Sequence, residues 1–255
     1  MFKGYSFIFN EVPSEKFGLK IGFLNENKTL ESFSGLVKTI EEVKLKRIDK
    51  PIFYGVENSG KITFDLMLYS ETELDTFDRQ AIDRWLFLNE YKYFQIEQLD
   101  YEGLFFNCII TGSPKITVGN TPYMKTITVV CDSPYAYTDE YIYNYTSTTT
   151  PSSYNIDVLS NIHGYSYPQF TILTTTSGNI NIENETEGIN FGLTGLSDAE
   201  TITADNENKI LTSSTVARRI GVFTKEWFKL VPDNNNIKLT GNFTLEIKIR
   251  YNVTV

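Results

Sequence analysis

From Phe243 to Val253 the chain alternates without a miss. Phe243, Leu245, Ile247, Ile249, Tyr251 and Val253 fall on one side of an extended strand, and Thr244, Glu246, Lys248, Arg250 and Asn252 on the other. A period of two with one apolar and one wet face is the signature of an antiparallel sheet laid over a core. It commits the end of the chain to a β architecture. Before it, Gly241-Asn242 turns the chain, Ile237 to Thr240 reads as a strand, and Pro232-Asp233-Asn234-Asn235 is a polar turn after a strand from Trp227 to Val231. A three-strand meander is therefore expected to close the domain. From Tyr135 onward no helical period of useful length appears, and seven or eight short strands punctuated by turn signals predict a β-sandwich or barrel.

The 255 residues suit two ordinary domains, and cores of that size need no disulfide or metal staple. The 18 Phe and 16 Tyr, against 3 Met and 2 Trp, favour strands in the first part too. Strands are expected at Tyr5 to Phe9, Phe17 to Phe23, Pro51 to Val56, Lys61 to Ser70, Tyr91 to Leu99, Leu104 to Thr111 and Tyr123 to Cys131. One stretch breaks the pattern. Between Thr72 and Asn89, Leu74, Phe77, Ala81, Trp85 and Leu88 recur at steps of three and four, with Ile82 and Leu86 beside them, which predicts an amphipathic helix. Thr72 with Asp75 resembles a capping arrangement, Asp75 and Arg79 sit four apart on the solvent side, and Trp85 is the expected anchor against a sheet. The apolar pattern stops at Cys131-Asp132-Ser133-Pro134, so the boundary falls at Pro134: a domain over 1–134 and a second over 135–255. Just beyond it Tyr141, Tyr143 and Tyr145 share one side of a strand, suited to packing against the neighbouring domain or to stacking on sugar rings.

Few chemistries survive a census of the side chains. One His, His163, in the turn-like Asn161-Ile162-His163-Gly164-Tyr165, and two distant cysteines, Cys108 and Cys131, exclude the three- and four-ligand zinc patterns. Alternation places both cysteines on apolar faces, as buried small residues. No Gly-x-Ser-x-Gly elbow and no phosphate-binding glycine loop is present. Acidic clusters at Glu183-Asn184-Glu185-Thr186-Glu187 and Asp205-Asn206-Glu207-Asn208 fit no calcium loop and read as solvated loops. Two carboxylates for glycoside hydrolysis can always be drawn from 32 acidic residues, so a hydrolase has no specific support. The net charge of −9 argues against binding nucleic acid phosphates. No secretory h-region and no apolar run of membrane-spanning length is seen, so a soluble product of the cytosol without membrane insertion is expected. Five Asn-x-Thr sequons, at Asn27, Asn144, Asn184, Asn242 and Asn252, then carry no function. No catalytic residue, metal or cofactor site is assigned, and binding or assembly is the expected role.

Three stretches stand out: Gly60-Lys61-Ile62-Thr63-Phe64-Asp65-Leu66 ahead of the Trp-bearing helix and Tyr93-Phe94; Val129-Val130-Cys131-Asp132-Ser133-Pro134-Tyr135-Ala136-Tyr137; and Trp227-Phe228-Lys229-Leu230-Val231-Pro232-Asp233-Asn234-Asn235 followed by Leu239-Thr240-Gly241. Together, in this order, they resemble the distal tail protein family of long-tailed phages. In relatives a Gly often follows that proline, where this chain has Asp233. The resemblance covers nearly the whole chain. It implies a mainly β protein: an N-terminal β-barrel-like domain with one packed helix that forms a ring, usually of six copies, and a C-terminal galectin-like β-sandwich on the ring's outside. Such a hub, in the virion at the distal end of the tail, joins the tail tube protein to the tail-associated protein and to receptor-binding or baseplate proteins. It serves host attachment, and DNA passes through it at genome ejection. An acidic lumen would repel phosphates and let DNA slide. At this length there is no room for the inserted carbohydrate-binding module of longer relatives. Phe87, off the helix's apolar stripe, is a candidate for the oligomer interface. An alternative role is saccharide binding to host cell-wall glycans through Trp227, Tyr165 and Tyr167 as stacking platforms.

Overall fold

The computed structural model describes residues 6–22, 37–46, 48–112, 123–215 and 219–255. The chain divides into two compact units, one of residues 1–137 with 254–255 and one of residues 138–253.

In the first unit the chain runs β1 (Phe7–Phe9), β2 (Val12–Pro13), β3 (Leu19–Gly22), β4 (Val37–Val43), β5 (Ile52–Ser59), β6 (Thr63–Ser70), α1 (Thr76–Leu86), β7 (Lys92–Ile96), β8 (Leu104–Thr111) and β9 (Tyr123–Cys131), then β10 (Ala136–Thr138). The main antiparallel sheet has the order β2-β1-β7-β8-β9-β6-β3 and curls into a half-barrel. Phe7, Phe9, Phe64, Phe94 and Phe106, all buried, share its core. β4 and β5 form a separate two-stranded sheet. β4 is a strand that the sequence does not announce: Val37, Ile40 and Val43 keep no clean period of two, and all of its residues are exposed.

The helix is where its period predicts but is phased differently. Its N-cap is Asp75 rather than Thr72: Asp78 N–H donates to Asp75 Oδ1 at 2.8 Å and Asp75 N–H donates to Asp78 Oδ2 at 3.3 Å, a reciprocal capping box. Ile82, Trp85 and Leu86 are buried together with Leu74, whereas Phe77 is 79% exposed and Ala81 faces solvent. Docking through the C-terminal half explains the difference, since Trp85 fixes that half and the first turn overhangs the sheet. Trp85 Nε1–H donates to the Phe9 carbonyl at 3.0 Å, and its ring stacks on Phe17 and Phe7 at centroid distances of 4.7 and 5.7 Å. On the same flank Lys125 of β9, 3% exposed, pairs with Asp83 of the helix and places its ammonium 4.5 Å from the Phe87 ring.

The second unit contains β11 (Tyr141–Ser147), β12 (Ser152–Val158), β13 (Gln169–Thr174), β14 (Gly178–Asn184), β15 (Ile189–Leu196), β16 (Thr201–Asp205), β17 (Ile210–Ser213), β18 (Asp233–Thr240), β19 (Phe243–Ile249) and β20 (Asn252–Val253). Two antiparallel sheets, β11-β19-β13-β16-β17 and β12-β18-β14-β15, enclose one core, a β-sandwich. The closing alternation holds: Phe243, Leu245, Ile247, Ile249 and Tyr251 are all buried.

Its neighbours, however, do not form a meander. β18 pairs with β12 and β14 in one sheet while β19 pairs with β11 and β13 in the other, so Gly241-Asn242 hands the chain across the sandwich. Gly241 has φ +113, and a Cβ there would lie 2.5 Å from the Asn179 carbonyl oxygen. Trp227 to Val231 is not a strand but a segment held by one bridge, Leu230 to Ser166. Asn235, expected in a polar turn, is buried in β18 and accepts from the Val231 N–H at 2.9 Å. Asp233 stands at φ +68, so the backbone keeps a glycine-favouring conformation without glycine.

The two acidic clusters are likewise more than solvated loops. Asn184 and Asn206 are fully buried brackets. Asn184 donates to the Lys229 carbonyl at 3.0 Å and to Asn235 Oδ1 at 2.9 Å; Asn206 donates to the Pro168 carbonyl and accepts from Phe228 N–H at 2.9 Å. Tyr143 and Tyr145 pack on this unit's own core.

Candidate functional site

Among the described residues no group of three or more His, Cys, Asp and Glu side chains is placed to hold a metal ion. Nor is any helix among them long and apolar enough to cross a membrane. His163 is exposed. Cys108 and Cys131 face each other across β8 and β9 as free, fully buried thiols. Burial, with the nearby Asp132 carboxylate adding to it, pushes Cys131 up to about 12, and burial raises Cys108 as well, so neither offers a thiolate at neutral pH.

The candidates for stacking sugar are divided. Tyr165 and Tyr167 are 46% and 41% exposed and meet edge to face with centroids 6.4 Å apart. Tyr165 is already engaged: its hydroxyl donates to Glu187 at 3.0 Å, and the Lys229 ammonium sits 3.4 Å from its ring centroid. Lys229 and Glu187 pair at 2.8 Å, and that hydrogen bond lowers the Glu187 carboxyl and raises the Lys229 ammonium from their ordinary values. One face of Tyr165 is thus covered by a cation. Trp227 turns instead toward the sandwich core, its ring edge to face with Phe223 at 5.0 Å. The structure brings the two tyrosines together and does not join Trp227 to them by ring contact. Phe87, at the C-cap of α1, is 37% exposed beneath the Lys125 ammonium.

A cluster of exposed apolar side chains lies elsewhere. The β4–β5 hairpin exposes Val37, Ile40, Val43, Phe53, Tyr54 and Val56, from 46% for Val43 and Val56 to 65% for Tyr54. Cross-strand partners such as Ile40 and Val56 stand side by side in the open. Contiguous exposed apolar surface of this kind marks an interaction site in a soluble protein. Sequence reasoning identifies Pro51 to Val56 as a strand but not its partner; the signal available was Val-Lys-Thr-Ile-Glu-Glu-Val at Val37–Val43, β-prone yet apolar on both faces.

A two-unit chain with a helix-bearing half-barrel, a sandwich and a hairpin of exposed apolar side chains belongs to the class of mainly β proteins. Comparison with known proteins narrows that class. Residues 2–133 match a family described as a phage tail protein N-terminal domain, and residues 135–251 match a phage tail C-terminal domain. The chain belongs to this family of phage tail proteins. It is 25% identical over 251 residues to the SPbeta prophage-derived uncharacterized protein YomH of Bacillus subtilis (strain 168), covering 96% of each chain. Its fold is similar to that of the phage SPP1 Dit (gp 19.1) protein, described as a paradigm of the hub adsorption apparatus in phages infecting Gram-positive hosts: TM-score 0.67, 10% identity, 97% of this chain and 99% of that one. A chain of the phage P2 baseplate in its activated conformation matches with TM-score 0.50 and 11% identity, over 92% of this chain and 90% of that one.

Proposed function

We propose that this protein is a non-enzymatic structural subunit of the phage tail tip, and that the N-terminal unit closes a ring, of six copies, through which DNA passes. The ring joins the tail tube to tail-associated proteins and to receptor-binding or baseplate proteins, the last held through the C-terminal sandwich. The observation that carries this reading is the β4–β5 hairpin, whose apolar side chains are exposed on both faces among the described residues and call for a partner. A ring needs two different surfaces on each subunit, because only head-to-tail contacts close into one. The fold shared with a phage hub protein supports the same role. With −9 per chain, a channel lined by net acidic residues would let DNA slide; a net basic lining would contradict that part.

Light scattering after size exclusion, with negative-stain images of the same peak, tests the ring. A mass near six times 29.2 kDa and particles with a central hole are expected. A monomer at every concentration contradicts the reading.

A second reading is favoured by the exposed Tyr165 and Tyr167 pair: the sandwich binds host cell-wall saccharide on the open ring faces. Glycan binding that disappears in Tyr167→Ala with the fold intact supports it, and binding unchanged in that variant and in Tyr165→Ala removes it.

A further inference from the structure

The ring reading leaves open what the hairpin meets on the next copy, and the charges of the first unit supply an answer. The connection at the hairpin's far end carries Lys44, Lys46 and Lys50, all exposed, around Leu45 and Ile48, each 45% exposed, with Asp49 as its acidic residue. Among the described residues these lysines make no ion pair. In a chain of net charge −9 this is a concentrated basic and apolar tip. Eight-residue β5 at about 3.3 Å per residue gives the hairpin a reach of about 26 Å.

The complementary surface is in the same unit. An open cleft of about 380 Å³ is lined by Ile8 and Gln95 to Leu99 together with Glu102, where β7 runs into the short 3-10 turn Leu99–Tyr101. Glu97 and Glu102 are exposed along it, Asp100 of the adjoining turn is exposed as well, and Leu99 is 84% exposed, a large apolar side chain left in water. Neither Glu97 nor Glu102 has an ion-pair partner among the described residues. An acidic rim around an exposed Leu mirrors a basic rim around Leu45 and Ile48. The placement is also that of a head and a tail: the hairpin continues directly into β6, one strand from the β3 end of the sheet order, while the cleft is built on β1 and β7 near its β2 end.

We infer that the hairpin tip of one copy docks in the Glu97–Glu102 cleft of the next copy of the same chain, with Lys44, Lys46 and Lys50 facing Glu97, Asp100 and Glu102 and with Leu99 packing on Leu45 and Ile48. This rests on the ring reading and adds to it the residues of one joint. Complementary rims of this kind suppress wrong partners and fix register. Their exposed charges are screened within about 8 Å at physiological salt, so the contact is expected to loosen as salt rises.

The test is charge reversal in the full chain. Lys44→Glu with Lys46→Glu reverses the tip, and Glu97→Lys with Glu102→Lys reverses the cleft. Each double variant is expected to associate at least tenfold more weakly than the wild type while keeping its melting temperature. Mixed in equal amounts they are expected to regain ring mass, because each tip then meets a cleft of opposite sign. In the wild-type ring, a carbodiimide, which joins a lysine amine to a touching carboxylate with loss of water, is expected to link the tip lysines to Glu97 or Glu102 between copies. Variants that keep the ring, a mixture that stays monomeric, or cross-links only elsewhere overturn the docking while leaving the ring in place. A wild type without rings overturns the ring reading itself, and this inference with it.

Discussion

β19 and the β4–β5 hairpin are made of the same materials: extended backbone, antiparallel partners, and Ile, Val and aromatic side chains. Yet Phe243, Leu245 and Ile247 of β19 are at most 1% exposed, whereas Ile40, Phe53 and Tyr54 of the hairpin are 62–65% exposed. Strand-forming chemistry is thus not what separates a core element from an assembly element. The difference is whether the chain supplies a second layer. β19 lies beneath the facing sheet of its own sandwich, and each large apolar side chain buried there is worth about 1.5–3 kcal/mol. The hairpin carries side chains of the same kind that no described residue covers.

That contrast is open to mutation. The largest effects belong to the closed core. Phe243→Ala is expected to cost about 3–5 kcal/mol in denaturant unfolding of the C-terminal unit, and Trp85→Ala a similar amount in the N-terminal unit, where the indole hydrogen bond to Phe9 is lost as well.

Arg219→Ala should cost about 3 kcal/mol, because it strands the fully buried Glu200 carboxylate, which Arg219 now meets at 2.6 and 2.7 Å. The same site sets a pH dependence. Burial alone would raise the Glu200 carboxyl, but hydrogen bonds from Arg219, Ser213 and the Ser197 N–H outweigh it and hold it at about 2, below its ordinary 4.5. A carboxyl lowered by folding stabilises the fold above its unfolded value and loses that contribution as pH falls. The C-terminal unit should therefore weaken between about pH 4.5 and pH 2, and Glu200→Gln should flatten that part of the melting curve.

Smaller still, Asp233→Gly is expected to stabilise by about 1 kcal/mol, since it relieves a non-glycine residue at φ +68, as a higher melting temperature would show. At the bottom of the scale, Phe53→Ser with Tyr54→Ser should change monomer stability by about 0.5 kcal/mol or less, because the two rings are 62% and 65% exposed. Their effect belongs to assembly.

The parts of the fold legible in the sequence are those where one face is buried and one is wet. The closing strand showed itself through Phe243 to Tyr251, and Trp85 as an anchor, because burial imposes a period on the residues that experience it. The phase of α1 was misread because Phe77 obeys helical spacing without being buried, and spacing carries no record of which turn touches the sheet. The meander failed for a related reason: Gly241 marks a turn, but a turn within one sheet and a crossing between two sheets use the same residues. Asn184, Asn206 and Asn235 read as turn formers and serve as buried brackets, since an amide suits both an open turn and a closed network of backbone partners. The hairpin partner Val37–Val43 stays hidden because no described residue covers either of its faces, so no alternation is imposed.

The central claim, that the hairpin is an assembly element rather than an incomplete core, is tested most directly by light scattering of the wild type beside the Phe53→Ser, Tyr54→Ser double variant at equal concentration, with circular dichroism melts of both. The account predicts rings for the wild type, and for the variant a monomer of 29.2 kDa whose melt matches that of the wild type diluted until its rings dissociate. A variant that still forms rings, or one whose melting collapses along with its assembly, would contradict it.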